Sequence, residues 1–309
     1  MTGTPTQAAT LRLGTRGSTL ARRQAAIAAS AIRAVHPTIT CDVLVIRTRG
    51  DLMPEQPVSE FEEQGAFVRQ IENALLAERI DLAVHSFKDM PSASTPGLRI
   101  GALLPRADPS DVLVSRSGRR LAELPAGATV GTGSPRRAAL LRSIRPEANV
   151  VALRGNVDTR LRRVADGDLD AVVLALAGLQ RLGREHEVTE ILEPLEFTPA
   201  VGQGILAVQI RADDQRLADL LTPLDDAATR VCASAERAVA LTIAASCHTP
   251  LGAYARISNA QLELSAVLAS DEPISLLRVR DRGDPFEAVA IGERAGLALI
   301  AALREAMSI

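Results

Sequence analysis

The sequence predicts two α/β units followed by a smaller α+β domain. Three observations carry that expectation. Strand-like and helix-like runs alternate through roughly the first two hundred residues, the pattern of a sheet covered by helices. The alternation restarts after "LRIGALLP" (98–105), where Pro105 and Pro109 mark a place for the chain to cross into a second unit. Beyond Asp225 it gives way to a helix, a run of strands and a final helix, the order of an α+β domain.

In the first unit "LRLGT" (11–15) precedes a helix over 18–35, "CDVLVIRT" (41–48) precedes a helix over 66–78, and "DLAVHSF" (81–87) follows as a buried strand. The second series runs through "DVLVS" (111–115), "ATVGT" (128–132), a helix from Ser134, "NVVALR" (149–154), a helix near 157–166 and "LDAVVLAL" (169–176). The segment "EPLEFTPAVGQG" (193–204) reads as a second crossing. The last stretch reads as a helix over 226–244, strands near 253–257, 262–269 and 275–280, and a helix over 285–306.

Composition narrows the function. A chain of 309 residues has room for two or three cores, and 47% hydrophobic residues make it globular rather than disordered. Aromatics are 2% of the residues, with no Trp; single-stranded nucleic acids are bound on aromatic stacking platforms, so that class is disfavoured. A net charge of −2 provides no basic field for DNA. Cys41, Cys232 and Cys247 are too few and too far apart for a disulfide framework and fit a reducing compartment. The N-terminal "MTGTPTQAAT" lacks the pattern of a secretory signal, and the longest apolar run (171–179) is too short for a bilayer. The expectation is a cytoplasmic protein with no membrane or nucleic-acid partner.

The chemistry gathers where strands end. "GTRGS" places Arg16 and Ser18 after the first strand; "GTGSPRR" gives Ser134 as a helix N-cap, Pro135 at the first helical position and Arg136 and Arg137 in the first turn; "LRGNVDTR" supplies Arg154 and, one turn on, Arg160. Lys88 is the only lysine, so the other basic residues are arginines; base composition is the first explanation of that bias, though guanidiniums also suit bidentate capture of carboxylate or phosphate. Cations in a first turn oppose the helix dipole, and a bound anion offsets that conflict. One such arginine is ordinary surface. Three recurrences at the carboxyl ends of strands, where open α/β sheets bind ligands, indicate a polyanion site.

"DLAVHSFKDMP" ends an apolar strand in His85, Ser86, Lys88 and Asp89 and stops at Pro91. Asp89 is either structural, as a partner of Lys88 or a cap, or a carboxylate facing a ligand, where it moves protons or stabilises a developing cation. His85 reads as a strand-end structural residue. Cys247-His248 lacks the further ligands of a zinc site, and no metal is expected.

These motifs together resemble the porphobilinogen deaminase family, also called hydroxymethylbilane synthases. "TRGSTLARRQA", "TRGD", "GAFV", "AVHSFKDMP", "GTGSPRRAAL", "LRGNVDTRL", "LALAGLQRLG" and "PAVGQG" occur in the family's order and are followed by the cysteine loop "IAASCHTPLG". The resemblance covers almost the whole chain. It implies two domains like type II periplasmic binding proteins (1–104 with 204–223, and 105–203) and a third over 224–309. It implies a dipyrromethane cofactor held by a thioether to Cys247, priming the addition of four porphobilinogens, each losing ammonia, before water releases 1-hydroxymethylbilane. By position Asp89 becomes the catalytic carboxylate. Arg16, Ser18, Lys88, Ser134, Arg136, Arg137, Arg154 and Arg160 become cofactor contacts, and Arg16, Gln24, Arg154, Arg160 and Arg181 substrate contacts. Family members are usually monomeric, and the same is expected here. Ala245 and Ser246 stand where the family commonly has two glycines, and Gln64 where it has a lysine. The rival reading is a non-catalytic, two-lobed cytoplasmic anion-binding protein, which gives neither Asp89 nor Cys247 a role.

Overall fold

The computed structural model describes residues 10–46, 68–246, 248–271 and 274–307. The "TRGD" motif, Gln64, most of "GAFV" and Cys247 itself lie outside the described residues. By its contacts the chain divides into two units: Met1–Met90, Ser94–Pro105 and Leu206–Asp226 form the first, and Pro91–Ala93, Arg106–Ile205 and Ala227–Ile309 the second. No helix among the described residues is long and apolar enough to cross a membrane.

Strands are numbered along the chain. The first unit holds β1 (Thr10–Thr15), β2 (Thr40–Val45), β3 (Leu82–Ser86), β4 (Leu98–Leu103) and β10 (Leu206–Arg211), in the order β2-β1-β3-β10-β4. β1, β2 and β3 are parallel, and β10 runs antiparallel to both of its neighbours. The helix Thr19–Val35 begins where the Ser18 hydroxyl accepts from the Ala21 N–H. Its Ala21, Ala25, Ala28, Ala29 and Ile32 are buried, the spacing of one helical face. Ala25, Ala28, Ala29 and Ile32 meet Leu11, Leu13, Leu82 and Val208 in the core on one side of the sheet. On the other side Ile71, Ala74 and Leu75 of the helix Arg69–Leu76 pack with Ile80 and Ala83.

The second unit repeats the plan. Its strands β5 (Asp111–Ser115), β6 (Thr129–Thr132), β7 (Asn149–Ala152), β8 (Ala171–Ala175) and β9 (Glu190–Leu192) lie in the order β7-β6-β8-β5-β9. β6, β7 and β8 are parallel and β5 runs antiparallel to β8 and β9. In each sheet the antiparallel strand is one that a crossing of the chain delivers: β5 after the first crossing, β10 after the second.

The same unit contains an antiparallel sheet of β11 (Leu251–Ser258), β12 (Gln261–Asp271) and β13 (Ile274–Gly283), with the helices Ala227–Thr242 and Ala288–Met307. Ala235, Val239, Ala253, Leu264, Ile291 and Leu299 build a core between this sheet and these helices. Its attachment to the second five-stranded sheet is specific. Val267 of β12 joins the cluster that holds Phe197, the Ala253 N–H donates to Pro199 O at 3.0 Å, and Arg278 donates to the carbonyls of Leu195 and Glu196. Behind it, the fully buried Glu236 accepts from Arg106 Nη1 at 2.6 Å and from the Gly202 and Ala255 N–H groups at 2.7 and 2.8 Å. A buried carboxylate is tolerable when its lone pairs are taken up in this way. One charge thus ties the first crossing, the second crossing and β11 together.

Candidate active site

In the first unit the parallel strands deliver their carboxyl ends to one edge of the sheet. β1 leads into Arg16 and Ser18, and β3 leads into the 3₁₀ turn Phe87–Asp89. Phe87 is buried beneath this turn, Lys88 and Asp89 are exposed, and the Met90 N–H closes it on Phe87 O at 3.1 Å. Gln24, buried on the capped helix, donates from its amide to Ser86 Oγ at 2.8 Å. It therefore braces the end of β3 directly before the Asp89 turn.

Below that turn runs a buried polar chain. Thr95 Oγ1 donates to Glu72 Oε2 and Gln209 Nε2 to Glu72 Oε1, both at 2.9 Å, while Gln209 Oε1 lies 3.0 Å from His85 Nε2. With its Oε1 facing the ring, Gln209 accepts, so His85 carries its proton on Nε2. Burial pushes the imidazole down to about 4, against the opposing pull of Glu72, the Gln209 bond and Asp89. His85 is a neutral structural donor at physiological pH.

In the second unit β6, β7 and β8 likewise end together. Ser134 caps the helix Pro135–Ile144 by accepting from the Arg137 N–H, and Asn156 caps Val157–Ala165 by accepting from the Thr159 N–H. The loops before these helices touch. A Cβ on Gly133 would lie 2.5 Å from Leu153 O and 3.7 Å from Arg160 Nη2, so only glycine permits this approach. Arg160 is further oriented by donating from Nε to Gly155 O at 2.8 Å, and Arg154 is exposed on the loop that follows β7. Ser134, Arg154 and Arg160 are brought together. Arg181 donates to Gly204 O at 2.6 Å, and burial lowers it to about 10.

Arg136 and Arg137 point elsewhere. Both are buried, and both meet Asp111 at the start of β5. Arg136 reaches Asp111 Oδ2 at 2.7 Å and Thr198 O at 2.6 Å; Arg137 reaches Asp111 Oδ1 through Nε at 3.0 Å and Nη2 at 2.6 Å, and Val173 O through Nη1 at 3.0 Å. Gln203 Nε2 adds a further bond to Asp111 Oδ1 at 2.9 Å. Burial alone would push the Asp111 carboxyl up; the two guanidiniums and the bonds from Arg137 and Gln203 outweigh it and hold it well below the ordinary carboxylate range. The anion that first-turn arginines call for is here one of the chain's own.

Around Cys247 the described neighbours form a compact turn. Ser246 N–H donates to Thr249 Oγ1 at 2.9 Å, the His248 N–H to Ser246 Oγ at 3.2 Å and the Thr249 N–H to Ser246 O at 3.1 Å. The preceding helix, Ala227–Thr242, is closed by Ala244, which is left-handed with φ 50°, and the Ala245 N–H returns to Ala240 O at 2.8 Å.

Asp111, Gln203, Glu72 and Gln209 were not singled out from sequence. For Asp111 a signal existed: a carboxylate opening an otherwise apolar strand, in a chain with paired arginines in a first turn.

Fold and side chains define an α/β protein that presents guanidiniums and hydroxyls at the carboxyl ends of parallel strands, with one exposed carboxylate beside them in the first unit. Comparison with known proteins gives the family. The model described as "Porphobilinogen deaminase, dipyromethane cofactor binding domain" matches residues 11–219 and that described as "Porphobilinogen deaminase, C-terminal domain" matches 230–301. The chain belongs to the porphobilinogen deaminase family. Proteins named porphobilinogen deaminase from Syntrophobacter fumaroxidans and Sorangium cellulosum are 42% and 45% identical to it, over 94% of this chain in each case and 94% and 98% of theirs. Among solved structures, a YaeC-family lipoprotein from Enterococcus faecalis aligns over 70% of this chain and 90% of its own, at 12% identity and a TM-score of 0.42.

Proposed function

We propose that the chain is a transferase, a hydroxymethylbilane synthase, which condenses four porphobilinogens head to tail on a covalent dipyrromethane primer and releases the linear tetrapyrrole by hydrolysis. The observation that carries this reading is the placement of Asp89: exposed, on a turn held from beneath by Phe87 and from the side by the Gln24–Ser86 pair, in a chain of this family. A structural carboxylate would have been drawn into the buried network below it, as Glu72 is.

The donor set fits the cofactor. Dipyrromethane brings carboxylate arms, and guanidiniums and hydroxyls are their natural partners. The close approach that Gly133 permits between the two loops sets Ser134 beside Arg160. When bound, dipyrromethane supplies the primer to which substrate units are joined. Cys247 holds it by a thioether. Arg16, Ser18, Lys88, Ser134, Arg154 and Arg160 take its carboxylates, and Arg16, Gln24, Arg154, Arg160 and Arg181 orient the incoming substrate. Arg136 and Arg137, bonded to Asp111, serve this set indirectly by fixing the turn that presents Ser134.

Asp89 then has a distinct task. As ammonia departs from porphobilinogen, positive charge develops on the substrate's methylene and ring, and a carboxylate held close by stabilises it. The same group accepts and returns protons as the new carbon–carbon bond restores the pyrrole. Porphobilinogen as substrate, the absence of a nucleic-acid partner, and a monomer acting in the cytoplasm belong to the same proposal.

The test is the intact mass of the purified protein and of Cys247→Ser, together with ammonia release from porphobilinogen. Excess mass matching dipyrromethane in the wild type, absent from C247S, is expected. A wild type without that mass and without ammonia release would return the chain to the anion-binding reading.

A further inference from the structure

The helix Ala227–Thr242, which leads into the Cys247 loop, carries a side chain directed at the segment after Asp89. Arg237 Nε donates to Ser92 O at 2.7 Å and its Nη2 to Pro91 O at 2.5 Å. The fork of one guanidinium captures two consecutive carbonyls. Pro91–Ala93 group by their contacts with the second unit, the unit that contains Arg237, although the residues on either side of them group with the first. The side chain is only partly exposed, so these bonds form out of bulk water, where charge-assisted bonds are strong and directional.

What lies between the clamp and Asp89 is short and stiff. Met90 is extended, with φ −80° and ψ 145°, the conformation that a following proline enforces by excluding the helical region. Pro91 fixes its own φ. The Met90 N–H is bound to Phe87 O. Few free rotations separate the captured carbonyls from the Asp89 turn, so their position is transmitted to the carboxylate rather than absorbed.

We infer that Arg237 is a positioning residue for the reaction, holding the backbone that follows Asp89 so that its carboxylate is presented in one place. This rests on the reading of Asp89 as the catalytic carboxylate. It gives the helix two tasks: to lead into the attachment loop at its end and, through Arg237, to hold the carbonyls of Pro91 and Ser92. A lysine cannot replace the fork, because a single ammonium does not present two fixed, parallel N–H vectors.

The experiment compares Arg237→Gln and Arg237→Lys with Asp89→Asn and the double variant D89N/R237Q, all purified as holoenzyme and checked for cofactor by intact mass. R237Q is expected to keep the cofactor mass and a KM close to wild type while kcat falls by roughly tenfold to a hundredfold, the range that a misplacement of about an ångström produces. R237K is expected to recover only a minor part of that loss. In the D89N background R237Q should add nothing further, since residues that act through one another are not additive. Wild-type kcat in cofactor-loaded R237Q, or full rescue by R237K, overturns the inference. So does a full further loss in the double variant. Should R237Q fail to fold, R237K carries the same comparison of kcat against KM. Near-normal turnover of D89N defeats the reading of Asp89 itself, whereas an inactive D89N beside a fully active R237Q defeats only the role of Arg237.

Discussion

Arg137 places two donors, Nε at 3.0 Å and Nη2 at 2.6 Å, on a single oxygen of Asp111, whose other oxygen is taken by Arg136 at 2.7 Å. Two cations and one anion are buried together at the start of β5, beside the turn that carries Ser134. The cluster holds one net positive charge in the interior of the second unit. Removing its single anion should therefore be severe. Asp111→Asn keeps the shape but leaves two buried guanidiniums facing a neutral amide, and breaking a buried pair in this way costs about 3–5 kcal/mol. Urea unfolding should show that loss. Because the Asp111 carboxyl is held below its ordinary value, its contribution is complete above the unfolded value of 3.8 and declines only as pH falls toward the depressed folded one. The D111N penalty should accordingly be constant between pH 5 and 8, a range about one unit or more clear of an ordinary aspartate. An unchanged midpoint in D111N would show that the cluster is not coupled to folding.

His85 acts in the same direction at higher pH. Its imidazole falls from 6.5 in the unfolded chain to about 4 when buried. Between those values the unfolded chain binds a proton that the folded chain does not, so stability declines as pH is lowered from 6.5 to about 4. The full loss amounts to roughly 3 kcal/mol. His85→Gln, which cannot titrate, should be less stable than wild type at pH 7, because its fit to Gln209 is poorer, yet lose less on acidification. Melting curves of both proteins from pH 4 to 7 measure the difference. Parallel pH dependences would remove His85 from the acid response.

Gly133 makes a steric prediction about the ligand site. A methyl group there would be driven against Leu153 O at 2.5 Å, so Gly133→Ala must spread the loops that bear Ser134 and Arg154. Overpacking of this kind costs about 1–3 kcal/mol. In the proposed function it should also weaken retention of dipyrromethane and raise the KM for porphobilinogen. Intact mass and initial-rate kinetics on folded G133A decide this; wild-type values for both would separate the loop contact from ligand binding.

How much of this was legible in the sequence follows from the range of each interaction. The Ser134 cap, Pro135 and the strand-end arginines were legible, because caps and periodic burial are local. The structural role of His85 was also legible, as a polar residue closing a buried strand. Asp111 was not: its meaning depends on Arg137, 26 residues away, and nothing local distinguishes it from a solvated strand terminus. The Arg237 clamp spans 145 residues to Ser92 and leaves no periodic trace. Short elements were missed for a related reason. The helix Leu176–Leu182 continues the apolar run of β8 without a polar break, and β9 has three residues, too few to show alternation. Cys247 and Asp89 gained chemical meaning through the resemblance, since one exposed carboxylate and one thiol admit many uses.

The end of the helix before the attachment loop contains a correctable strain. Ala244 adopts φ 50° and is exposed, while the Ala245 N–H reaches back to Ala240 O and the Ala244 N–H to Leu241 O. This is the left-handed helix terminus at which glycine is the favoured residue. A side chain in that conformation costs about 1–2 kcal/mol through its Cβ. Glycine removes the penalty, at the expense of about 0.4–1 kcal/mol for the greater freedom of the unfolded chain. Ala244→Gly should therefore stabilise the protein by a net amount of about 0.5–1 kcal/mol, visible as a higher denaturation midpoint. The substitution leaves the bonds of Ser246 and Thr249 in place, so cofactor mass and turnover should be unaffected. A lower midpoint with intact cofactor would mean that the terminus is held by the loop beyond it rather than by its own dihedral preference. The three small residues before Cys247 would then act as one turn, with Ala244 already suited to it.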